Sequence, residues 1–255
     1  MPNELLGVAL GFVVGVVLGL LGGGGSILAV PIFLYVFRID PKPAIAMSLA
    51  VVGMSAFVGF LGHWRQGSVN LRVGVPFGAI AMVAAFFTAR VSDRVPDVVQ
   101  LSLFAAFAFT AAVIMLVDSL RTQPKPSGAP RRVPHFTPLL GLEAAGVGAL
   151  TALIGAGGGF VIVPALVYLA GVPVKEAVGS SLLIITLNAL SGFAGYIGQE
   201  PIDWSLVGSF TSVAAVGAVI GTRLNRRISQ VRIKQGFALL ILLLGGYIVI
   251  RNLLT

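Results

Sequence analysis

The chain consists mostly of apolar stretches, several of which are long enough to cross a lipid bilayer. A transmembrane α-helix needs about 20 residues, or about 17 at the short end, to span about 30 Å of hydrocarbon. Ten apolar stretches are present, at 5–20, 26–37, 44–62, 73–89, 98–117, 138–154, 160–170, 177–197, 206–222 and 236–250. Six of them meet or approach the spanning length, and 5–20 and 236–250 are marginal. The other two, 26–37 and 160–170, reach only about the middle of the bilayer.

The composition excludes a soluble globule and a disordered chain. Hydrophobic residues make up 57% and charged residues only 10%, whereas a soluble domain carries roughly 25% charged residues and a disordered chain is rich in charge. The net charge of +8 comes from residues between the apolar stretches, where the positive-inside rule accounts for it without a nucleic acid partner. Cysteine is absent, which excludes disulfides and thiolate chemistry. We therefore predict an all-α polytopic membrane helical bundle.

The sequence contains two copies of one unit, related by an offset of 133 positions. Residues 15–118 and 148–251 share about two dozen identities without a gap, whereas this composition gives roughly nine by chance. The repeated residues include the proline pair Pro31 and Pro164, which hydrophobicity alone would not repeat. The chain therefore has two homologous halves.

A polar, basic and Pro-rich segment separates the two copies, and such a composition is typical of a flexible connector. The predicted organisation is a first membrane repeat at 1–118, a polar linker at 119–137 and a second membrane repeat at 138–255.

The number of crossings in each repeat decides whether the copies are parallel or inverted in the membrane. If 5–37 is one bent span, the copies are parallel and 10 of the 17 Lys and Arg residues share a side. If 5–20 enters and 26–37 returns, the copies are inverted and 12 of the 17 share a side. The second division obeys the positive-inside rule better. It favours inverted repeats with Gly-broken half-helices and both termini outside, although Arg90 and Arg94 then lie opposite to their copies.

A glycine run precedes each of the two short stretches. The runs are Gly22-Gly23-Gly24-Gly25-Ser26 and Gly155-Ala156-Gly157-Gly158-Gly159. Each glycine in a helix interior costs about 1 kcal/mol relative to alanine, so such runs break a helix. The half-helix that follows begins with unpaired N–H groups at the positive end of its dipole, with Ser26 as the candidate N-cap in the first copy. Two such ends that meet near the midplane would bind an anion without a buried cation.

The predicted substrate-binding residues belong to these runs and to the third segment of each repeat. They are Gly23, Gly24, Gly25, Ser26, Ala156, Gly157, Gly158, Gly159, Ser48, Ser181 and Asn188. Another interpretation stays open, since small residues favour close helix packing and polar side chains favour hydrogen bonds between helices. No Ser–His pair, carboxylate pair or metal-ligand cluster is evident in the apolar stretches. We therefore expect no enzyme activity, no metal and no cofactor.

Ionisable and aromatic residues near the segments have more than one interpretation. Lys42 and Lys175 either attract anions or anchor their helices by snorkelling to the interface. Glu143 is the one carboxylate clearly inside an apolar stretch, and it is a candidate carrier of a coupling proton or an interfacial acid. Tyr196 is interpreted as an interfacial aromatic residue.

The Gly-rich motifs at 22–31 and 155–164, the two-copy arrangement, the length and the polar linker resemble the sulfite exporter TauE/SafE family of membrane transporters. The resemblance covers nearly the whole chain. It implies a multi-pass protein of the plasma membrane, the bacterial inner membrane, that transports sulfur-containing anions such as sulfite and organosulfonates, or related small organic anions. Only the glycine motifs and their adjoining polar positions carry over as functional residues.

These observations predict a secondary transporter of a small sulfur-containing anion, with alternating access at a midplane site between the repeats. The expected partners are the anionic substrate and the lipid bilayer, with a proton as a candidate coupling ion that the sequence leaves open. An anion channel would use the same site without alternating gates, and a membrane scaffold without transport activity is a third interpretation.

Overall fold

The computed structural model describes residues 2–21, 24–120 and 137–224, and the elements in these ranges are helices. The α-helices are α1 (Pro2–Leu21), α2 (Ala29–Pro31), α3 (Pro41–Arg65), α4 (Leu71–Val91), α5 (Asp97–Leu120), α6 (Pro138–Ile154), α7 (Gly159–Tyr168), α8 (Val174–Tyr196) and α9 (Trp204–Leu224). The predicted stretch 236–250 and most of the predicted linker lie outside the described residues. The prediction of an all-α polytopic membrane bundle is confirmed.

Four described helices are long and apolar enough to cross a membrane: α3, α4, α8 and α9. Local signals set where they begin. The side chain of Asn70 accepts a hydrogen bond from the N–H of Val73 at the start of α4, and Pro41 occupies the first turn of α3, where its missing N–H costs nothing. The starts of α3 and α4 therefore follow from proline chemistry and capping as well as from hydropathy.

The duplication is visible in the helix boundaries. Helix α8 begins 133 positions after α3, at Val174 and Pro41, and α9 begins 133 positions after α4, at Trp204 and Leu71. Helices α1 and α6 end at equivalent positions as well. Two copies of one sequence have therefore folded into two copies of one helical unit.

The two halves interlock rather than fold side by side. Helix α1 packs along α9, where a Cβ atom at Gly15 would overlap the main chain of Ala214. The equivalent contact joins α6 to α4, where a Cβ atom at Gly148 would overlap the main chain of Ala81. Each N-terminal helix of a repeat thus completes the opposite repeat, and the small residues permit a close approach of the backbones.

The central pair of equivalent helices, α3 and α8, crosses with an antiparallel register. A Cβ atom at Gly59 would lie 3.3 Å from Leu182 Cδ1, and the equivalent Cβ atom at Gly192 would lie 3.3 Å from Leu49 Cδ1. Contacts therefore join the end of one helix to the start of the other. An antiparallel crossing of equivalent helices is the arrangement that inverted repeats require. The register supports that prediction, and the orientation of the repeats in the membrane stays a prediction.

The first short segment is wound less regularly than a half-helix. It consists of a 3-10 helix at Gly24–Leu28, the single turn α2, and a π-helical turn at Ile32–Val36. Pro31 lacks the N–H that a continuous helix would need, and a change of winding accommodates the break. The prediction that Ser26 is an N-cap is wrong, because Ser26 lies inside the 3-10 helix.

The chain returns along this segment to the place where it began. A Cβ atom at Gly7, near the start of α1, would overlap the ring of Phe37, which follows the π-helical turn. Helix α1 and the short segment after it therefore form a pair that runs in and back. The second parity scheme of the sequence, in which 5–20 enters and 26–37 returns, assumes such a path, and the number of membrane crossings stays a prediction.

Candidate functional site

The second glycine run forms a buried loop with two left-handed residues. Gly155 has φ 70° and ends α6, and Gly158 has φ 64° and precedes α7. Residues with a side chain rarely adopt this conformation, so glycine is required at both positions. Ala156, Gly157 and Gly158, which lie between Gly155 and the start of α7, are all buried.

The loop presents unpaired main-chain donors. The N–H groups of Val161 and Ile162 both donate to the carbonyl of Gly158, at 3.0 and 3.1 Å. Within the part of the chain that the structure describes, the N–H groups from Ala156 to Gly159 donate to no acceptor. A buried N–H without a partner is costly, and these four lie at the positive end of the dipole of the ten-residue helix α7. Such a cluster of donors suits an anion.

The two glycine runs meet, as the sequence predicted for an anion site. A Cβ atom at Gly157 would lie 3.2 Å from the Cβ atom of Ser26, which belongs to the first run. It would also lie 2.9 Å from a methyl group of Val52 on α3 and 2.9 Å from a methyl group of Ile185 on α8. Val52 and Ile185 are equivalent positions of the two repeats. The loop therefore sits between both halves, with one apolar wall from each.

The predicted serines of the third segments, Ser48 and Ser181, bond to the main chain. The hydroxyl of Ser48 donates to the carbonyl of Gly155 across a buried 2.6 Å contact and so holds the end of α6 against α3. Ser181, the equivalent residue on α8, donates to the carbonyl of Val178 in its own helix. Their observed contacts hold backbone in place, and substrate contact by either serine stays a prediction.

Asn188 bonds to Thr151, which lies beside the second loop and was not among the predicted substrate-binding residues. Its Nδ2 donates to Thr151 Oγ1 at 3.4 Å, and that hydroxyl oxygen would lie 3.0 Å from a Cβ atom at Gly158. Asn188 is fully buried, and its Oδ1 has no partner among the described residues. Thr151 precedes Gly155 by one helical turn, and this spacing is the signal that could have identified it.

The other predicted residues are placed as follows. Gly25 faces α1 rather than the second loop, because its Cβ atom would lie 2.6 Å from the N atom of Leu18. Gly24 lies in the same 3-10 helix as Ser26. Gly23 lies outside the described residues.

A separate cleft of about 410 Å³ opens between the starts of α1 and α9. It is lined by Gly7, Phe37, Asp203, Ser205, Leu206, Ser209 and Phe210. The carboxylate of Asp203 accepts a hydrogen bond from the N–H of Leu206 and caps α9. A carboxylate at its wall makes this cleft unsuited to an anion.

Lys42 is held by acidic residues at one end of the bundle. Its Nζ donates to the main-chain carbonyl of Asp93 at 3.0 Å and lies 3.7 and 3.8 Å from carboxylate oxygens of Asp93 and Asp97. Neither interpretation of the sequence anticipated this ion pairing.

The expectation that Tyr196 lies at the interface is wrong, because its side chain is fully buried and its hydroxyl donates to the carbonyl of Ala152.

Glu200, in the loop between α8 and α9, couples the stability of this end to pH. Partial burial raises the pKa of its carboxyl above the ordinary 4.5, the nearby Asp93 carboxylate raises it further, and Lys42 opposes both. The folded protein therefore binds this proton more tightly than the unfolded chain, so stability falls as the pH rises through the pKa of Glu200. We expect Glu200→Gln to raise the thermal unfolding midpoint at neutral pH relative to wild type, with the difference vanishing only below the ordinary pKa of 4.5.

Unfolding midpoints of both proteins across this pH range test the expectation. Lys42→Met is the matched variant, because removal of its charge should move the transition to higher pH. Wild-type and Glu200→Gln curves that stay parallel would contradict the assignment.

Two interlocked copies of a helical unit, with broken helices that bring main-chain donors into the interior, define a multi-pass membrane transporter. The chain belongs to the Sulfite exporter TauE/SafE family, whose model matches residues 7–248.

Curated relatives agree with this assignment. A "Probable membrane transporter protein" of Xylella fastidiosa (strain Temecula1) is 31% identical over 250 residues, which cover 95% of this chain and 93% of the relative. The "Probable membrane transporter protein YdhB" of Bacillus subtilis is 25% identical, over 89% of this chain and 93% of the relative. The "Probable membrane transporter protein MJ0441" of Methanocaldococcus jannaschii is 26% identical, over 87% and 86%. No solved structure matches the chain significantly.

The protein is therefore a multi-pass membrane transporter of the bacterial plasma membrane, as its family and its relatives are.

Proposed function

We propose that the protein is a secondary transporter of a small sulfur-containing anion, which binds at the contact between the two glycine runs. The observation that carries the proposal is the row of main-chain donors from Ala156 to Gly159, which have no acceptor among the described residues and lie beside Ser26 of the other half. Sulfur oxyanions present several acceptor oxygens, and a cluster of N–H groups at a helix start matches them.

The chemistry of the site supports a small anion with modest charge density. The donors around the second loop are neutral main-chain amides, together with the hydroxyl of Thr151 and the amide of Asn188. The walls contributed by Val52 and Ile185 are apolar. Neutral donors avoid the cost of a buried cation inside the membrane. Apolar walls suit the carbon part of an organosulfonate or the compact body of sulfite.

The position of the site supports alternating access. We take 1–118 and 138–255 as inverted repeats joined by the linker 119–137. A site built from both repeats would be exposed to one side and then to the other as one repeat moves against its copy. The antiparallel register of α3 and α8 is the arrangement that such a motion needs.

Binding and flux measurements with purified protein test the proposal. We expect sulfite or an organosulfonate such as taurine, isethionate or sulfoacetate to raise the thermal unfolding midpoint in detergent, since a ligand that binds only the folded state stabilises it. Carboxylate analogues and sulfate serve as the comparison. Equal shifts for all anions, or none, would contradict a specific anion site.

Reconstituted vesicles distinguish a carrier from a channel. A carrier saturates and exchanges labelled substrate against a gradient of unlabelled substrate, whereas a channel gives large currents without counterflow. An imposed pH gradient tests the predicted coupling proton in the same vesicles. Glu143, whose Oε2 has no partner among the described residues, is its candidate carrier.

A further inference from the structure

Ser55 on α3 carries a buried hydroxyl that bonds to nothing in the described part of the chain. Its side chain is fully buried and its Oγ has no hydrogen-bond partner there. Several other buried hydroxyls of the long helices donate to a main-chain carbonyl: Thr186 to that of Leu182, Thr222 to that of Ala218, and Ser48, on the same helix as Ser55, to that of Gly155. Ser55 could make the same local bond but does not. Its hydroxyl is therefore free, as far as the described residues show, to bond to a group that they do not supply.

The repeat explains why Ser55 has no partner. Ser55 and Asn188 are equivalent positions of the two repeats, and Thr151, which bonds to Asn188, is equivalent to Leu18. Leu18 is fully buried and offers no polar side-chain atom. Among the described residues, the second repeat therefore supplies a hydrogen-bond partner for Asn188, and the first repeat supplies none for Ser55.

Both polar residues lie one turn from the walls of the candidate site. Val52 and Ile185 each come within 2.9 Å of a Cβ atom at Gly157. Ser55 and Asn188 follow them by three positions, which places each on the same side of its helix as the wall residue. Each wall residue is thus followed, one turn further along its helix, by a buried side chain with an atom that has no partner among the described residues.

We infer that Ser55 is a substrate-binding residue, the counterpart of Asn188 in the first repeat. The inference rests on the proposed function. It adds to the site a side chain that was not among the predicted substrate-binding residues. The hydroxyl donates a hydrogen bond to an oxygen of the bound oxyanion, while the loop amides hold its other oxygens. Because one repeat supplies a hydroxyl and the other an amide, the site is chemically unequal on its two sides and orients an anion whose ends differ.

Binding of sulfite and of isethionate to Ser55→Ala in detergent tests the inference. A hydrogen bond to a charged group makes roughly a 10- to 100-fold difference in affinity, so we expect a loss of at least about tenfold for the anion that stabilises the wild type. The unfolding midpoint without ligand should stay the same or rise, because the variant removes an unpaired buried hydroxyl. A serine that serves only the fold would lower that midpoint and leave the affinity unchanged.

Two further variants keep the inference falsifiable if Ser55→Ala does not fold. Ser55→Cys keeps the shape and only a weak donor, and should also weaken binding. Thr186→Val is the matched control, since it removes a buried hydroxyl that bonds to its own helix, and should leave the affinity unchanged. Wild-type affinity in a folded Ser55→Ala or Ser55→Cys protein would overturn the assignment. Failure of the wild type to bind either anion would instead refute the proposed function.

Discussion

Gly157→Val is expected to abolish anion binding and transport while the membrane bundle still assembles. Even a single Cβ atom at this position would lie 2.9 Å from methyl groups of Val52 and Ile185 and 3.2 Å from the Cβ atom of Ser26. Valine adds two more methyl groups at a position that Val52, Ile185 and Ser26 already enclose. The loop must then shift, and each lost hydrogen bond from its amides to a charged ligand costs about 1.5–3 kcal/mol.

The expected affinity loss is therefore at least about 100-fold if two amides are displaced. Overpacking a buried site costs about 1–3 kcal/mol in addition, so the unfolding midpoint should fall moderately. Gly208→Val is the matched control, because nothing lies within 4 Å of its Cβ position on the exposed side of α9. Unchanged affinity in a folded Gly157→Val protein would refute recognition by this loop.

Gly148→Ala is expected to destabilise the fold more than any other single methyl addition in α6. The new Cβ atom would overlap the main-chain carbonyl of Ala81 on α4. A flexible side chain can move away, but the backbone of a packed helix cannot, so α6 and α4 must separate along their length. We expect a loss of at least about 1–3 kcal/mol, which lowers the unfolding midpoint by about 2–4 °C for each kcal/mol in a chain of this size.

A control for this prediction lies two residues away in the same helix. Gly146 is exposed and has nothing within 4 Å of its Cβ position, so Gly146→Ala should gain up to about 1 kcal/mol from the better helix propensity of alanine. Thermal unfolding of both variants in the same detergent compares them directly. Equal midpoints would show that the close contact of α6 with α4 is not a source of stability.

Much of the architecture follows from the sequence because its signals are local or repeated. The apolar stretches predicted the long helices, and an offset of 133 positions predicted the equivalence of α3 with α8. The glycine runs marked the breaks, since consecutive glycines cannot hold a helix at membrane depth. Their contact through Ser26 and Gly157 was anticipated by pairing two half-helix starts.

The parts that escaped the sequence depend on partners that periodicity does not identify. Nothing in the spacing of Asn188 identifies Thr151 as its neighbour, and nothing in the position of Ser48 identifies the carbonyl of Gly155 as its acceptor. Tyr196 has the amphipathic side chain that is typical of interfacial residues, yet its hydroxyl donates to the carbonyl of Ala152 in the interior. The winding of the first short segment follows from Pro31 acting together with tertiary packing, which a propensity scale does not contain.

The interlocking of the halves has a consequence for biosynthesis. The neighbour of Gly15 is Ala214, so α1 enters the membrane long before the ribosome has made α9. At about 5–20 residues per second, the delay is on the order of 10–40 s. During this interval the small-residue face of α1 is covered only by lipid or by temporary neighbours. Helix α1 thus reaches its final place only after α9 has been made, although it leaves the ribosome long before α9.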